Sequence, residues 1–304
     1  MIDLTQLPPP DVIEALDFET LFQNRKARLL AAAPAELRAG LAAALQLDSE
    51  PLTMLLQEFA YNELLQRQRI NEAARASLLA YAEKSDLDNR AADYGVQRLL
   101  LQPADPDAEP PTPAEWEDDS ALRRRCQMAL EGLSVAGPAG AYKFHALSAS
   151  GQVLDASVEG PNSPLPTPPE PGTVRVFVMD RRGDGVPDVA LQATVTEALN
   201  DEAVRPICDR VEVRPAEPLA FAVEAIIEWE PGGKAISGGL DGARLRLARL
   251  LESRRRLGTA IARSAIDAAL HVAGVRRVLL AAPAADVLCS LRQFPHVEKV
   301  ALND

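Results

Sequence analysis

The segment DRRGDG, residues 180–185, has part of the residue pattern of a calcium-binding loop. Carboxylates at loop positions one and five and a glycine at position six are typical of an EF-hand, in which oxygen atoms surround the ion. Position three, however, is Arg182, and position twelve is Leu191 in place of the bidentate glutamate. We therefore predict a tight turn between a strand and a helix here, with no metal ion.

The glycine-rich segment PGGKAISGG, residues 231–239, could in principle bind a phosphate group. A phosphate loop needs Ser or Thr after its lysine and a glycine six residues before that lysine. In this chain Ala235 follows Lys234, and Glu228 stands where the first glycine is needed. The segment therefore predicts a flexible turn.

Histidine and cysteine, which supply most metal ligands and many nucleophiles, are rare. The chain contains three of each: His145, His271, His296, Cys126, Cys208 and Cys289. None has a neighbour at ligand spacing, and the odd, scattered cysteines indicate buried thiols in a reducing compartment. We predict no catalytic residue, no cofactor and no metal. One alternative stays open, a cytosolic enzyme whose site is assembled from scattered carboxylates and His145.

The net charge of −12 argues against partners that carry negative charge. Phosphate backbones and anionic lipid surfaces repel an acidic chain at long range. We also find no classical signal peptide and no apolar run of about twenty residues, which predicts that the chain is neither exported by that route nor inserted in a membrane. We expect no nucleic acid and no membrane contact.

The elements that position any site fall into distinct regions, and together they predict an α+β fold. An N-terminal long-helix region precedes a Pro- and acid-rich segment that is expected to be an extended linker. Two small α/β domains follow in tandem, because strand and helix patterns alternate there. The predicted division is 1–101 helical, 102–117 linker, 118–217 helices plus the first α/β domain, and 218–304 the second α/β domain.

The segment LLQEFAYNELLQRQRINEAARASLLAYA, residues 55–82, predicts one uninterrupted helix with a polar middle. The helix begins after the cap residues 48–51 and is expected to run to about Lys84, which is on the order of 50 Å. Apolar residues recur at three- and four-residue steps at both ends. Between them lies a polar girdle, residues 63–69, consisting mainly of Glu63, Gln66, Arg67, Gln68 and Arg69.

Two interpretations of the polar girdle remain open from spacing alone. The girdle is exposed to water, with Glu63 and Arg67 paired at i, i+4, or it packs against other chains, where a buried polar layer fixes register and partner. A helical adaptor for an unrelated partner is a further alternative.

Together with SDLDNRAADYGVQR, residues 85–98, the long helix resembles the core segment of the phage baseplate J-like proteins of contractile tails and R-type bacteriocins. The motif from Arg69 to Ala74 carries most of this resemblance. The likeness continues through segments 7–22, 130–150, 186–213 and 258–280, in the expected order. One departure is Ser85, where we expect a glycine.

The resemblance implies a structural, non-enzymatic component of the baseplate wedge. The implied partners are a second copy of the chain, another wedge protein joined in a helical core bundle, and the sheath-initiator and central hub proteins that the wedges surround. Assembly in the bacterial cytoplasm, followed by a place in the tail baseplate of the released particle, is also implied. The candidate core-bundle residues are Leu56, Phe59, Glu63, Arg67, Arg69, Ile70, Asn71 and Ala74.

Overall fold

The computed structural model describes residues 4, 7–8, 10–134, 136–165 and 167–304, and it has the predicted α+β class, with helices first and small sheet-containing domains after them. The chain divides into two compact units, Met1–Gln97 and Arg98–Asp304. The helices are α1 Phe18–Ala32, α2 Ala35–Ala44, α3 Pro51–Ala76, α4 Lys84–Ala92, α5 Asp119–Gly132, α6 Ala139–Ala149, α7 Val189–Leu199, α8 Gly233–Ser237, α9 Gly239–Ser253 and α10 Arg263–Leu270. The strands are β1 Leu100–Gln102, β2 Glu115–Trp116, β3 Val153–Glu159, β4 Thr173–Asp180, β5 Arg210–Pro215, β6 Glu217–Trp229, β7 Ala260–Ile261, β8 Val275–Ala282, β9 Val287–Leu288 and β10 Gln293–Asn303.

The first unit is helical. Helix α1 begins at Asp17, whose carboxylate accepts a hydrogen bond from the amide of Thr20 at 2.8 Å. Such a cap satisfies one of the amides that the first helical turn leaves without a partner. Pro34 separates α1 from α2, and Pro51 occupies the first turn of α3, where its missing amide hydrogen costs no hydrogen bond.

Helix α3 is shorter than the sequence predicts. It ends at Ala76, after 26 residues or about 39 Å, and does not reach Lys84. The hydroxyl of Ser77 donates to the carbonyl oxygen of Ala74, and such a local bond competes with continued helix. The hydroxyl of Tyr81 then donates to the carbonyl oxygen of Leu7. The expectation of one uninterrupted helix over 55–82 is therefore wrong at its C-terminal end.

The second unit begins with the segment that the sequence predicts to be an extended linker. Strands β1 and β2 pair antiparallel, and Asp105 and Thr112 bridge the segment between them. The two ends of the segment therefore satisfy each other's main-chain groups and form a hairpin in place of an extended spacer. The four-part division of the chain stays a prediction.

The first α/β domain has a three-stranded mixed sheet in the order β3-β4-β5. Strands β3 and β4 are antiparallel, whereas β4 and β5 are parallel and are joined through α7. Valines of β4 and β5 pack against helices α6 and α7 in one core, which includes Val176, Val178, Leu191 and Leu199. Asp188 caps α7 by accepting a hydrogen bond from the amide of Leu191.

The second α/β domain has a sheet in the order β10-β6-β8. Strand β10 is parallel to β6, and β8 is antiparallel to β6. Helices α9 and α10 cover one face, with Leu247, Ile266 and Leu270 in the core. Strand β10 forms one edge of this sheet.

The two α/β domains meet at a contact that we call the domain joint, formed by residues 155, 157 and 159 of β3 with residues 256–257 and 291–292. Arg292 donates two hydrogen bonds, of 2.8 and 2.9 Å, to the carboxylate of the buried Glu159. The buried Asp155 accepts from the amide of Leu257 at 3.1 Å. An apolar cluster around Met179 and Phe294 lies beside these contacts.

Candidate functional site

Helix α3 packs one of its faces against its own unit. The buried residues Leu56 and Ala60 form a core with Phe22 of α1 and with Leu45. These two α3 residues are four positions apart, so they lie on the same face of the helix. Of the predicted core-bundle residues, Leu56 is thus a core residue of the chain itself, and Ala74 is half-buried.

The polar girdle has partners within the same unit. Arg25 donates to one carboxylate oxygen of Glu63 through two nitrogens, at 2.9 and 2.6 Å, and Arg67 donates to the other oxygen at 2.9 Å. Arg67 also donates to Glu14, which lies before α1. The hydrogen bond from Arg25, with help from Arg67, holds the pKa of the Glu63 carboxyl below its usual value. Both charges of the predicted i, i+4 pair are therefore balanced inside the chain.

The side chain of Asn71 holds the segment before α1 against α3. Its oxygen accepts from the amide of Glu14 at 3.1 Å, and its nitrogen donates to the carbonyl oxygen of the same residue at 2.9 Å. Only 7% of Asn71 is exposed. An amide side chain can pair with a backbone donor and acceptor at once, so Asn71 acts as a clamp between two parts of the helical unit.

The remaining faces of α3 carry large apolar side chains in contact with solvent. We call this set the exposed stripe: Met54, Leu55, Phe59, Tyr61, Leu65 and Ile70. Phe59 is 46% exposed and Ile70 is 59% exposed. Arg69 lies beside Ile70 with 85% of its side chain exposed, and its contact with Glu72 is a long 3.5 Å. With about 3.6 residues per helical turn, Met54, Tyr61 and Leu65 lie on one side of the buried face, and the other three members lie on its opposite side.

The structure thus separates the eight predicted residues into two groups. Arg69 and Ile70 face solvent, and Phe59 is largely exposed although the guanidinium of Arg25 lies 5.9 Å from its ring centre. The other five contact their own unit or are half-buried. Sequence reasoning omitted four members of the exposed stripe as partner residues: Met54, Leu55, Tyr61 and Leu65. The available signal was their spacing, because each lies off the face that Leu56 and Ala60 bury.

The candidate sites for small ligands show ordinary structural contacts. The predicted tight turn is present at residues 180–185. Within it, Arg182 pairs with Asp180 at 2.8 Å. The flexible turn predicted for residues 231–239 is wrong, because the short helix α8 forms there, and its Lys234 pairs with Asp304. Within the described part of the chain, no group of three or more His, Cys, Asp or Glu residues has the arrangement of a metal site.

The histidine of the open alternative, His145, lies within α6. Its ring nitrogen is 3.1 Å from the carbonyl oxygen of Gly132, and its ring meets that of Phe144 edge to face. A cavity of about 510 Å³ in the second unit lies elsewhere, between α9 and β10, and His296 is among its lining residues. Across the described ranges, no helix is both long enough and apolar enough to cross a bilayer.

Comparisons with known proteins agree with the resemblance seen in the sequence. The family model described as the baseplate J-like N-terminal domain matches residues 48–105, which include all of α3 and α4. The baseplate J-like central domain matches residues 134–215, which include α6 and the sheet β3-β4-β5. The chain is 46% identical over 294 residues to baseplate protein J of Escherichia phage P2, covering 96% of this chain and 94% of that relative. This chain therefore belongs to the baseplate J-like family of phage tail structural proteins.

Proposed function

We propose that the chain is a wedge component of the baseplate of a contractile injection particle, either a phage tail or an R-type bacteriocin. In this proposal α3 enters a helical bundle with a second copy of the chain and with a different wedge protein. The α/β domains then link neighbouring wedges into a ring around the central hub. Family membership and the exposed stripe of α3 support this proposal.

The exposed stripe is the observation that carries the proposal. Six large apolar side chains of α3 remain exposed to water, although the helix already buries another face against its own unit. Each square ångström of apolar surface removed from water contributes about 25 cal/mol, so partner helices that cover this stripe gain a favourable free energy. A stripe that spans residues 54–70 extends over most of α3, which suits a lengthwise helical contact better than a point contact.

The internal pairing of the polar girdle changes which residues we assign to the bundle. Glu63, Arg67 and Asn71 stabilise the helical unit that presents the stripe, because their partners are in the same chain. Phe59 and Ile70, joined by the other members of the exposed stripe, provide the contact itself. Arg69 lies at its edge, where a charge contributes to partner choice more than to affinity.

The other parts of the proposal follow from the chemistry of the chain. We propose a structural role without catalysis, because neither the turn 180–185 nor His145 has the surroundings of a reactive group. The acidic net charge keeps free subunits apart and soluble until they assemble. We further propose assembly in the bacterial cytoplasm, with neither nucleic acid nor membrane as a partner.

A double substitution, Phe59→Glu with Ile70→Glu, tests the bundle. Two charges on the exposed stripe need not disturb the core around Leu56, so we expect an unchanged circular dichroism spectrum and loss of the complex with the co-expressed wedge partner. Size-exclusion chromatography with light scattering measures the complex. The matched control is Leu245→Glu, which places a charge on an exposed apolar residue of α9.

The control variant is expected to assemble as well as the unaltered chain. Full assembly of the double variant would remove the exposed stripe from the proposed bundle. An unaltered chain that stays a compact monomer in the presence of its wedge partner would overturn the proposed function as a whole.

A further inference from the structure

A small cavity lies next to the domain joint. Its volume is about 10 Å³, and its charged lining residues are Arg124 and Arg125 of α5, Arg181 after β4, Arg256 after α9 and one acid, Glu117. A space of about 10 to 15 Å³ accommodates one particle the size of a water molecule. Four guanidinium groups around so small a space make it unlike an ordinary packing void.

One of these guanidinium groups has a nitrogen without a partner. Arg124 donates through Nη2 to the carboxylate of Asp155 at 2.9 Å. Its Nη1 is buried and makes no hydrogen bond to any described residue. A buried donor left in this way loses its bond to water and gains nothing in return, so a bound acceptor stabilises it.

Two of the arginines are matched by acids of their own. Arg125 and Glu117 form a buried ion pair, in which both side chains are less than a tenth exposed. Arg181 lies 4.0 Å from Asp118, the residue that caps α5. These pairs leave their surroundings electrically neutral.

The remaining charges around the cavity are unbalanced. Arg124 and Lys143 both contact Asp155, at 2.9 and 3.1 Å, and Arg256 is close enough to interact with the same carboxylate. Three cations therefore share one anion. Burial, followed by repulsion from Arg124, lowers the pKa of the Arg256 guanidinium, as an excess of positive charge requires. A second negative charge at this place would reduce the repulsion.

We propose that the cavity binds a small monovalent anion, namely chloride, between Arg124 Nη1 and Arg256. Chloride accepts hydrogen bonds from N–H donors and carries the missing charge, and it is the smallest of the common monovalent anions after fluoride. Because the lining residues come from both α/β domains, the bound ion stabilises the domain joint. A bound water molecule satisfies the free donor but leaves the charge unbalanced.

Thermal unfolding of the full chain in different sodium salts tests this site. At equal pH and ionic strength, we expect the Tm of the transition that unfolds residues 98–304 to be about 2 to 4 °C higher in chloride than in gluconate. Gluconate is too large for the cavity. We expect Arg124→Gln to lose this difference, because the variant lacks the unpaired donor and one of the three cations.

The matched control is Arg249→Gln, which removes an exposed arginine of α9 and should retain the chloride effect. A general effect of the salts would raise Tm equally in both variants and would overturn the proposal, as would equal Tm values of the unaltered chain in chloride and gluconate. Crystals soaked in bromide give a readout that does not depend on any variant. An anomalous peak beside Arg124 Nη1 is expected, and its absence also contradicts the site.

Discussion

At the scale of single residues, the buried acids of β3 have the largest structural consequences. Asp155 and Glu159 lie four residues apart on the same face of β3. This face is opposite the one that packs into the valine core. An acid in such a place is stable only when cations and amides surround it. Lys143 and Arg124 are the cations that pair with Asp155, and Arg292 is the cation that pairs with Glu159. These contacts connect α5, α6 and the second α/β domain to one strand.

The stability of residues 98–304 should depend on the charge of Asp155. Burial alone raises the pKa of this carboxyl, but the positive charges of Lys143, Arg124 and Arg256 outweigh burial and hold the pKa below its usual value. Because the folded pKa is lower than the unfolded one, the stabilisation is complete above about pH 4 and is lost as pH falls through the folded pKa. We expect the urea midpoint of this unit to fall steeply below about pH 4.

The variant Asp155→Asn separates this acid from the others that titrate in the same range. It should lower the urea midpoint at pH 7 and show a shallower loss below about pH 4 than the unaltered chain. Parallel midpoint curves for the two proteins would show that Asp155 does not carry the effect.

At the scale of elements, the faces of α3 have different surroundings. Leu56 and Ala60 hold it to α1, while the exposed stripe is in contact with solvent. The polar girdle lies between the packed and the exposed surfaces of the helix. Its charges are paired with Arg25 and Glu14, so the girdle attaches the N-terminal segment to α3 and leaves the stripe clear.

We expect Asn71→Ala to release the segment before α1 from α3. The variant loses a donor and an acceptor that are largely buried, which costs about 1 to 3 kcal/mol of stability in the helical unit. Hydrogen exchange should become faster at the amide of Glu14, the group that Asn71 accepts from. Gln68→Ala, on an exposed part of the same helix, should leave that amide protected. Equal exchange in both variants would contradict the clamp.

At the scale of the whole molecule, the two α/β domains of the second unit are joined to each other by buried contacts. Each has its own apolar core, yet the domain joint adds buried ion pairs and an apolar cluster between them. Breaking the joint exposes Glu159 and leaves Arg292 without its acid, which makes separation costly. We infer that forces applied to one domain are transmitted to the other.

A fragment of residues 98–304 should therefore unfold in one cooperative transition. Differential scanning calorimetry measures this directly, because a single transition has a van't Hoff enthalpy equal to the calorimetric enthalpy. Arg292→Ala removes the hydrogen bonds to Glu159. We expect this variant to have a lower Tm and a lower ratio of van't Hoff enthalpy to calorimetric enthalpy. Two well-resolved transitions in the unaltered fragment would show that the joint is weak.

Features that depend on neighbours within a few residues can be predicted from the sequence alone. The Asp188 cap, the helical periods before residue 97 and the strand alternation of 173–180 are all local patterns, and the α+β class follows from their order. The residues of the exposed stripe were visible as apolar side chains, although their exposure was not. Family resemblance added the functional class, because identity persists along the whole chain.

Only the tertiary structure decided which groups meet across long stretches of chain. Glu63 could pair with Arg67 by spacing, but its contact with Arg25 spans 38 residues, and the contact of Glu159 with Arg292 spans 133. A contact of the same kind, between Tyr81 and Leu7, lies just beyond the end of α3 and spans 74 residues. Side-chain period fixes which face a residue shares with its near neighbours. What lies against that face is set by the packing of remote segments, and no local pattern contains that information.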